Sequence, residues 1–167
     1  MCAQMAQNYE VKAGLEKLSA FSVVGISAMI SGNETASEEI NTLWETFFSQ
    51  SIGQDIENRL DDVIYAVYSD YQGDHTQPYR LTIGYRIQGD PKTKDYLHHI
   101  EVKDADYAMM SASGEQPKAL METWTAIWQS DLDRRYETDF EVYGQRFFEE
   151  GVHEVLVAVG LNLSEES

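Results

Sequence analysis

The stretch Tyr79-Arg-Leu-Thr-Ile-Gly-Tyr-Arg-Ile-Gln88 decides the fold class. Its residues alternate with period two: Tyr79, Leu81, Ile83, Tyr85 and Ile87 fall on one face, Arg80, Thr82, Gly84 and Arg86 on the other. That is the pattern of a β-strand, whose successive side chains point to opposite faces of a sheet. Val63 to Tyr71 reads the same way, and Gln72-Gly-Asp-His-Thr-Gln-Pro78 joins the two runs as a turn. Phe21 to Ile30 supplies an earlier strand.

Between these strands the period changes. Ile40, Leu43, Trp44, Phe47 and Phe48 form the i, i+3, i+4, i+7, i+8 stripe of an amphipathic helix. Thr35 and Glu38 have capping-box spacing ahead of it, and Gly53 sits where such a helix would stop. The same order then recurs. Leu97 to Ser111 is extended, with a break expected at Asp104-Ala105-Asp106. A second helix carries Leu120, Met121, Trp124, Ile127 and Trp128 in a stripe, with Ser113 and Gln116 as its capping pair and Pro117 in its first turn. Asp139 to Gly144 and Glu154 to Gly160 close the chain as a hairpin.

The chain therefore reads as strand-helix-strand-strand twice over. This is an α+β fold in which an antiparallel sheet and two helices bury each other, with pseudo-twofold symmetry and a central cleft between the halves. The expected boundaries are an N-terminal tail at 1–14, one domain at 15–163 with halves at about 18–88 and 95–160, and a tail at 164–167. Gly89 to Lys94 is the polar link between halves, too short to separate independent domains.

Bulk composition narrows the function. A chain of 167 residues is long enough for one real core. Twelve basic residues against twenty-nine acidic ones give a net charge of −17. Such a surface repels phosphate, so no direct nucleic-acid binding is expected, and it attracts cationic small molecules. The single cysteine, Cys2, cannot form an internal disulfide, which suits a reducing compartment. No run of eighteen apolar residues and no signal-peptide pattern occur, so neither membrane insertion nor export is expected and the setting reads as cytoplasmic. Metal and cofactor sites find no support: His98 and His99 are adjacent, His75 and His153 sit in turns, and no phosphate loop or nucleophile elbow is present.

The chemistry-bearing segment is Asp139-Phe-Glu-Val-Tyr-Gly144. Read as a strand, it puts Phe140 and Val142 on one face and Asp139, Glu141 and Tyr143 on the other. A carboxylate among aromatic neighbours is costly to bury without a partner, and a cation from solvent can serve as one. Glu141 is thus the first candidate for a ligand contact, against the competing reading of a solvated polar face on an edge strand. Desolvation would raise its pKa. Tyr65 and Tyr71 share one strand face and Tyr68 takes the other, beside the small Ala66, so Tyr68 is the preferred cleft residue. Trp44, Trp124 and Trp128 lie on helical stripes, where a core role competes with cation–π contact.

These pieces together resemble the GyrI-like, AraC-type effector-binding domain. The resemblance runs through Phe21-Ser-Val-Val-Gly25, Ile40 to Phe47, Ile64 to Tyr71, Tyr79 to Tyr85, Asp106 to Ser111, Trp124 to Trp128, Asp139 to Tyr143 and Val152 to Val159. It covers roughly residues 15 to 160 and is similar to the stand-alone form carried on integron cassettes. It implies a cleft for hydrophobic, cationic small molecules, a glutamate at the position of Glu141, and aromatic lining at Trp44, Tyr68, Tyr71, Trp124, Trp128 and Tyr143. Members often carry a tyrosine two residues after a glutamate in the last strand. Here Leu156 follows Glu154 at that spacing, which the resemblance reads as the loss of a hydroxyl beside the carboxylate. The family's regulators place a DNA-binding region ahead of this module, and the roughly twenty residues before Phe21 leave no room for one. A transcriptional role would then need a separate DNA-binding protein, and a homodimer through strand edges is an open expectation.

Non-enzymatic binding is the leading expectation. The runner-up is an enzyme that hydrolyses reactive small-ring electrophiles with Glu141 as general base. A protein resembling gyrase inhibitors is a third reading.

Overall fold

The computed structural model describes residues 14–31, 34–73, 77–89, 96–115, 118–129, 134–144, 147 and 153–161. Among these residues, eight strands and two α-helices follow one another as β1 Gly14–Leu18, β2 Phe21–Ile30, α1 Ala36–Ser49, β3 Arg59–Ser69, β4 Tyr79–Ile87, β5 His98–Val102, β6 Ala105–Ala112, α2 Lys118–Trp128, β7 Arg134–Tyr143 and β8 Val155–Leu161. The strands form one antiparallel sheet in the order β1-β6-β8-β7-β3-β4-β2-β5. Each half thus contributes a long strand, a helix and a hairpin, and β3 of one half pairs with β7 of the other at the centre.

The sheet curls because its two end strands continue into inner ones. Leu18 of β1 faces Ala105 of β6, and Phe21 of β2 faces Val102 of β5, so one register runs through both breaks. The curl encloses a core of Val23, Val67, Val102, Tyr107, Phe140 and Ala158, drawn from six strands. The opposite face is covered by helices. Leu43 and Phe47 of α1 bury there with Ile30, Ala66, Leu81 and Ile83, while Trp124 and Ile127 of α2 bury with Met110, Val157 and Val159. Strands buried on both faces explain why Val and Ile dominate them.

Gly25 of β2 lies directly opposite Gly84 of β4. A Cβ on Gly25 would sit 1.9 Å from the Ile83 carbonyl oxygen, and one on Gly84 would sit 2.0 Å from that of Val24. No other residue type permits so close an approach of two strands.

Several local expectations are corrected. A strand precedes Phe21: Leu15-Glu-Lys-Leu18 has little intrinsic strand character and becomes β1 by pairing with a segment some ninety residues away. The break in the second long strand falls at Lys103-Asp104, one residue earlier than expected. Thr35 does head α1, but its side chain caps no backbone N–H and no capping box forms. Its hydroxyl donates to Glu39 Oε2 at 2.9 Å and the Ser31 N–H donates to Glu39 Oε1 at 2.7 Å, so Glu39 rather than Glu38 ties the entry segment to the helix. The helix stops at Ser49, and Gly53 belongs to a 3-10 turn at Ile52–Asp55, where it lies against the Tyr85 ring. Gln116, Pro117, His75, Cys2 and the link Asp90 to Lys94 fall outside the described residues.

Candidate functional site

β7 is the seventh of the eight described strands in chain order, yet it is central in space, held between β3 and β8. The edge-strand reading of Asp139–Gly144 is therefore wrong. Its period of two survives: Phe140 and Val142 enter the core within the curl, and Asp139, Glu141 and Tyr143 point to the helical side. The register sets Ala66 of β3 opposite Glu141, Tyr68 opposite Asp139, and Ile64 opposite Tyr143. On the other flank Val157 of β8 faces Glu141.

Above this floor α1 and α2 stand apart, and between them lies a cavity of about 480 Å³. That volume suits a drug-sized guest. Trp44 and Phe48 wall it from α1, Leu120 and Trp124 from α2, and Tyr68, Tyr143 and Glu141 form its base. Trp44 packs edge-on to Tyr143 with ring centres 4.9 Å apart, and Trp124 lies 5.4 Å from Tyr68.

Glu141 is 2% exposed. Its Oε2 accepts hydrogen bonds from the Tyr68 hydroxyl at 2.8 Å and from Trp124 Nε1 at 2.7 Å, and its Oε1 accepts one from the Tyr143 hydroxyl at 2.6 Å. All three donors are neutral. Burial pushes the Glu141 carboxyl up from its ordinary value of 4.5, and the Tyr143, Tyr68 and Trp124 donors partly oppose that rise. The two phenols are pushed well above their ordinary range by burial and by the negative charge of Glu141, so they stay protonated and keep donating. Tyr79, whose ring is 5.5 Å from that of Tyr68, is pushed up to about 12 for the same reasons.

The structure brings together Glu141, Trp44, Tyr68, Trp124 and Tyr143 of the residues read from the sequence. Three others do not line this cavity. Tyr71 follows Asp70, whose φ of 52° is left-handed, and this breaks the alternation that assigned Tyr71 to the face of Tyr65. Its hydroxyl instead donates to Asp139 at 2.5 Å. Trp128 lies at the outer end of α2, 38% exposed, with its ring 6.4 Å from that of Trp124. Leu156 pairs with Val142 and shares its orientation away from the helices, whereas Val155 turns toward the cavity. The hydroxyl that Leu156 was read as removing is supplied twice over, by Tyr68 and Tyr143.

Val155, Ile40 and Phe48 are lining residues that went unassigned. For two of them a signal existed: Ile40, Trp44 and Phe48 recur every four residues, so one edge of the α1 stripe was bound to face a single space. Among the described residues no group of three His, Cys, Asp or Glu side chains could hold a metal ion, and no helix is long and apolar enough to cross a membrane.

A curled antiparallel sheet with two helices flanking an aromatic cavity defines a small-molecule binding module. The chain belongs to the family of integron-associated effector binding proteins, Cass2, whose model matches residues 14–159. No curated protein matches it. Among solved structures it is similar to an integron cassette protein from the mobile metagenome of Vibrio cholerae, VCH_CASS2, at 21% identity and a TM-score of 0.67, covering 90% of this chain and 97% of that one. It is also similar to SAV2435 bound to tetraphenylphosphonium, at 15% identity and a TM-score of 0.72, covering 95% and 96%. A third is a protein assigned to bacterial transcription regulation from Staphylococcus aureus MU50, at 15% identity and a TM-score of 0.69, covering 92% and 97%. At these identities the likeness is one of fold.

Proposed function

We propose that this protein binds hydrophobic cations in the cavity between α1 and α2, with Glu141 as the counter-charge. One observation carries the reading: Glu141 is buried at the base of an aromatic cavity and is held there by neutral donors alone. A carboxylate desolvated in this way gains most from a positive charge delivered by a guest. The wall supplies the remainder. Removing roughly 300 Å² of apolar guest surface from water contributes roughly 7 kcal/mol before immobilisation costs, and each well-placed ring adds about 0.5–2 kcal/mol by cation–π attraction. The tetraphenylphosphonium held by SAV2435 is a guest of this chemical class on the same fold. The net charge of −17 favours approach of such guests and disfavours DNA. A transcriptional consequence of binding would therefore run through a separate DNA-binding protein.

The geometry favours binding over catalysis. A general base must take a proton from its substrate, and the hydrogen bonds that Glu141 accepts from Tyr68, Trp124 and Tyr143 lower its basicity. The test is a titration with tetraphenylphosphonium followed by tryptophan fluorescence. Saturable quenching is expected in the wild type, with affinity lower by about tenfold to a hundredfold in Glu141→Gln, or about 1.4–2.8 kcal/mol. Equal affinities in the two proteins would end the proposal.

A further inference from the structure

Two tripeptides meet at the middle of the sheet: Ala66-Val67-Tyr68 on β3 and Glu141-Val142-Tyr143 on β7. Ala66 is directly opposite Glu141 in the antiparallel register. Each opposed pair of an antiparallel ladder has a local twofold, and the one between Ala66 and Glu141 exchanges those two residues and also Tyr68 with Tyr143. The helices follow the same exchange. Trp44 of α1 packs on the tyrosine of the second half, and Trp124 of α2 packs on the tyrosine of the first.

Both exchanged tyrosines donate to the same carboxylate, at 2.8 and 2.6 Å. A group bonded almost equally to two twofold-related atoms lies close to the axis. Cβ atoms of directly opposed residues in an antiparallel pair are about 4.5–5.5 Å apart, so a glutamate side chain can reach that axial point from either member of the pair. In this chain one member is Glu141 and the other is a fully buried alanine.

We propose that Ala66 is a positioning residue for the cation site: the site belongs to the axis, and the methyl at position 66 leaves it to a single carboxylate. Glutamates at both positions would meet at the same two phenols, where two carboxylates share a proton and cannot both ionise. A glutamate at position 66 in place of Glu141 would find mirrored donors, with one oxygen on Tyr143 and the Trp44 indole and the other on Tyr68. This deepens the cation-binding reading and rests on it.

The experiment measures tetraphenylphosphonium affinity in four proteins: wild type, Glu141→Ala, the double variant Ala66→Glu/Glu141→Ala, and the charge-free control Ala66→Gln/Glu141→Ala. Near-UV circular dichroism checks each fold. Glu141→Ala is expected to weaken binding by about thirtyfold or more, and the Ala66→Glu double variant to recover to within about tenfold of wild type while the Gln control does not. A wild type that fails to bind, or a Glu141→Ala protein that binds as well as wild type, sinks the cation reading and this inference with it. Loss in Glu141→Ala without recovery above the Gln control overturns the inference alone. If the double variant does not fold, Ala66→Val in the native background decides. It is expected to crowd the carboxylate off the axis, weakening the probe about tenfold and moving the pH midpoint of binding. Affinity and midpoint both unchanged would overturn the inference.

Discussion

Asp139 and Glu141 stand two residues apart on the same face of one strand, and they have opposite surroundings. Asp139 is fully buried and completely served by the protein: Arg134 donates to its Oδ2 at 2.8 Å, Tyr71 to the same oxygen at 2.5 Å, and the Gly160 N–H to its Oδ1 at 2.8 Å. Gly160 helps by having no side chain, since a Cβ there would press on the Thr138 carbonyl at 3.1 Å. Glu141 is buried almost as deeply, beside a cavity of about 480 Å³, and receives hydrogen bonds without a counter-charge. One carboxylate is neutralised from within and holds the sheet together. The other has neutral donors and a cavity beside it, and the proposed cation would supply the charge that the protein does not.

The contrast is testable from both sides. Asp139→Ala leaves the Arg134 guanidinium in the interior without its carboxylate, and the expected cost is about 3–5 kcal/mol of folding stability, measured by urea denaturation. A loss under 1 kcal/mol would mean that the pair is not the internal staple described here. Glu141→Gln, by contrast, should spare stability while weakening the cationic probe.

The pH response should separate the two proteins next. Because burial holds the Glu141 carboxyl above its ordinary 4.5 in the folded state, the folded chain binds the more protons between that value and the raised one. Raising pH through that window therefore lowers the stability of the empty wild type and raises its affinity for tetraphenylphosphonium, as Glu141 ionises. Glu141→Gln should lose both slopes. Calorimetric melting and titrations from pH 4 upward read them, and a wild-type affinity flat across the window would show that the carboxylate charge is not used.

Smaller effects are expected from the ring walls. Trp44→Leu keeps an apolar wall but removes the indole, and should weaken the probe by about 0.5–2 kcal/mol with little change for a neutral guest of equal size. Equal losses for both guests would assign Trp44 to shape rather than to charge. Tyr71→Phe removes one donor to Asp139 outside the cavity, for a stability loss of about 0.5–1.5 kcal/mol and no change in probe affinity. A weaker probe in that variant would extend the site beyond the present cavity.

Much of this arrangement was legible in the residues. Period-two runs located β2 without error and β4 to within a residue, since alternation is a property of neighbours in the chain. The stripes of α1 and α2 carried Trp44 and Trp124, and strand parity set Glu141 on one face with Tyr143 and Tyr68 on one face with Ala66. The structure places Trp44, Trp124, Glu141, Tyr143 and Tyr68 around one cavity. What went astray depended on something non-local. Tyr71 was misplaced because a left-handed Asp70 resets the parity, and Leu156 because its facing is inherited from Val142 across the ladder. β1 was invisible because its reason to exist is β6.

The amino-acid order by itself settled the duplicated strand-helix-strand-strand plan, the polar face of β7 and the aromatic stripes, because periodicities of two and 3.6 are written in adjacent residues. The tertiary structure alone decided that Asp139 would find Arg134 while Glu141 would find phenols, an indole and empty space. Desolvation and charge pairing are sums over groups that only the closed sheet and its two helices bring within a few ångströms.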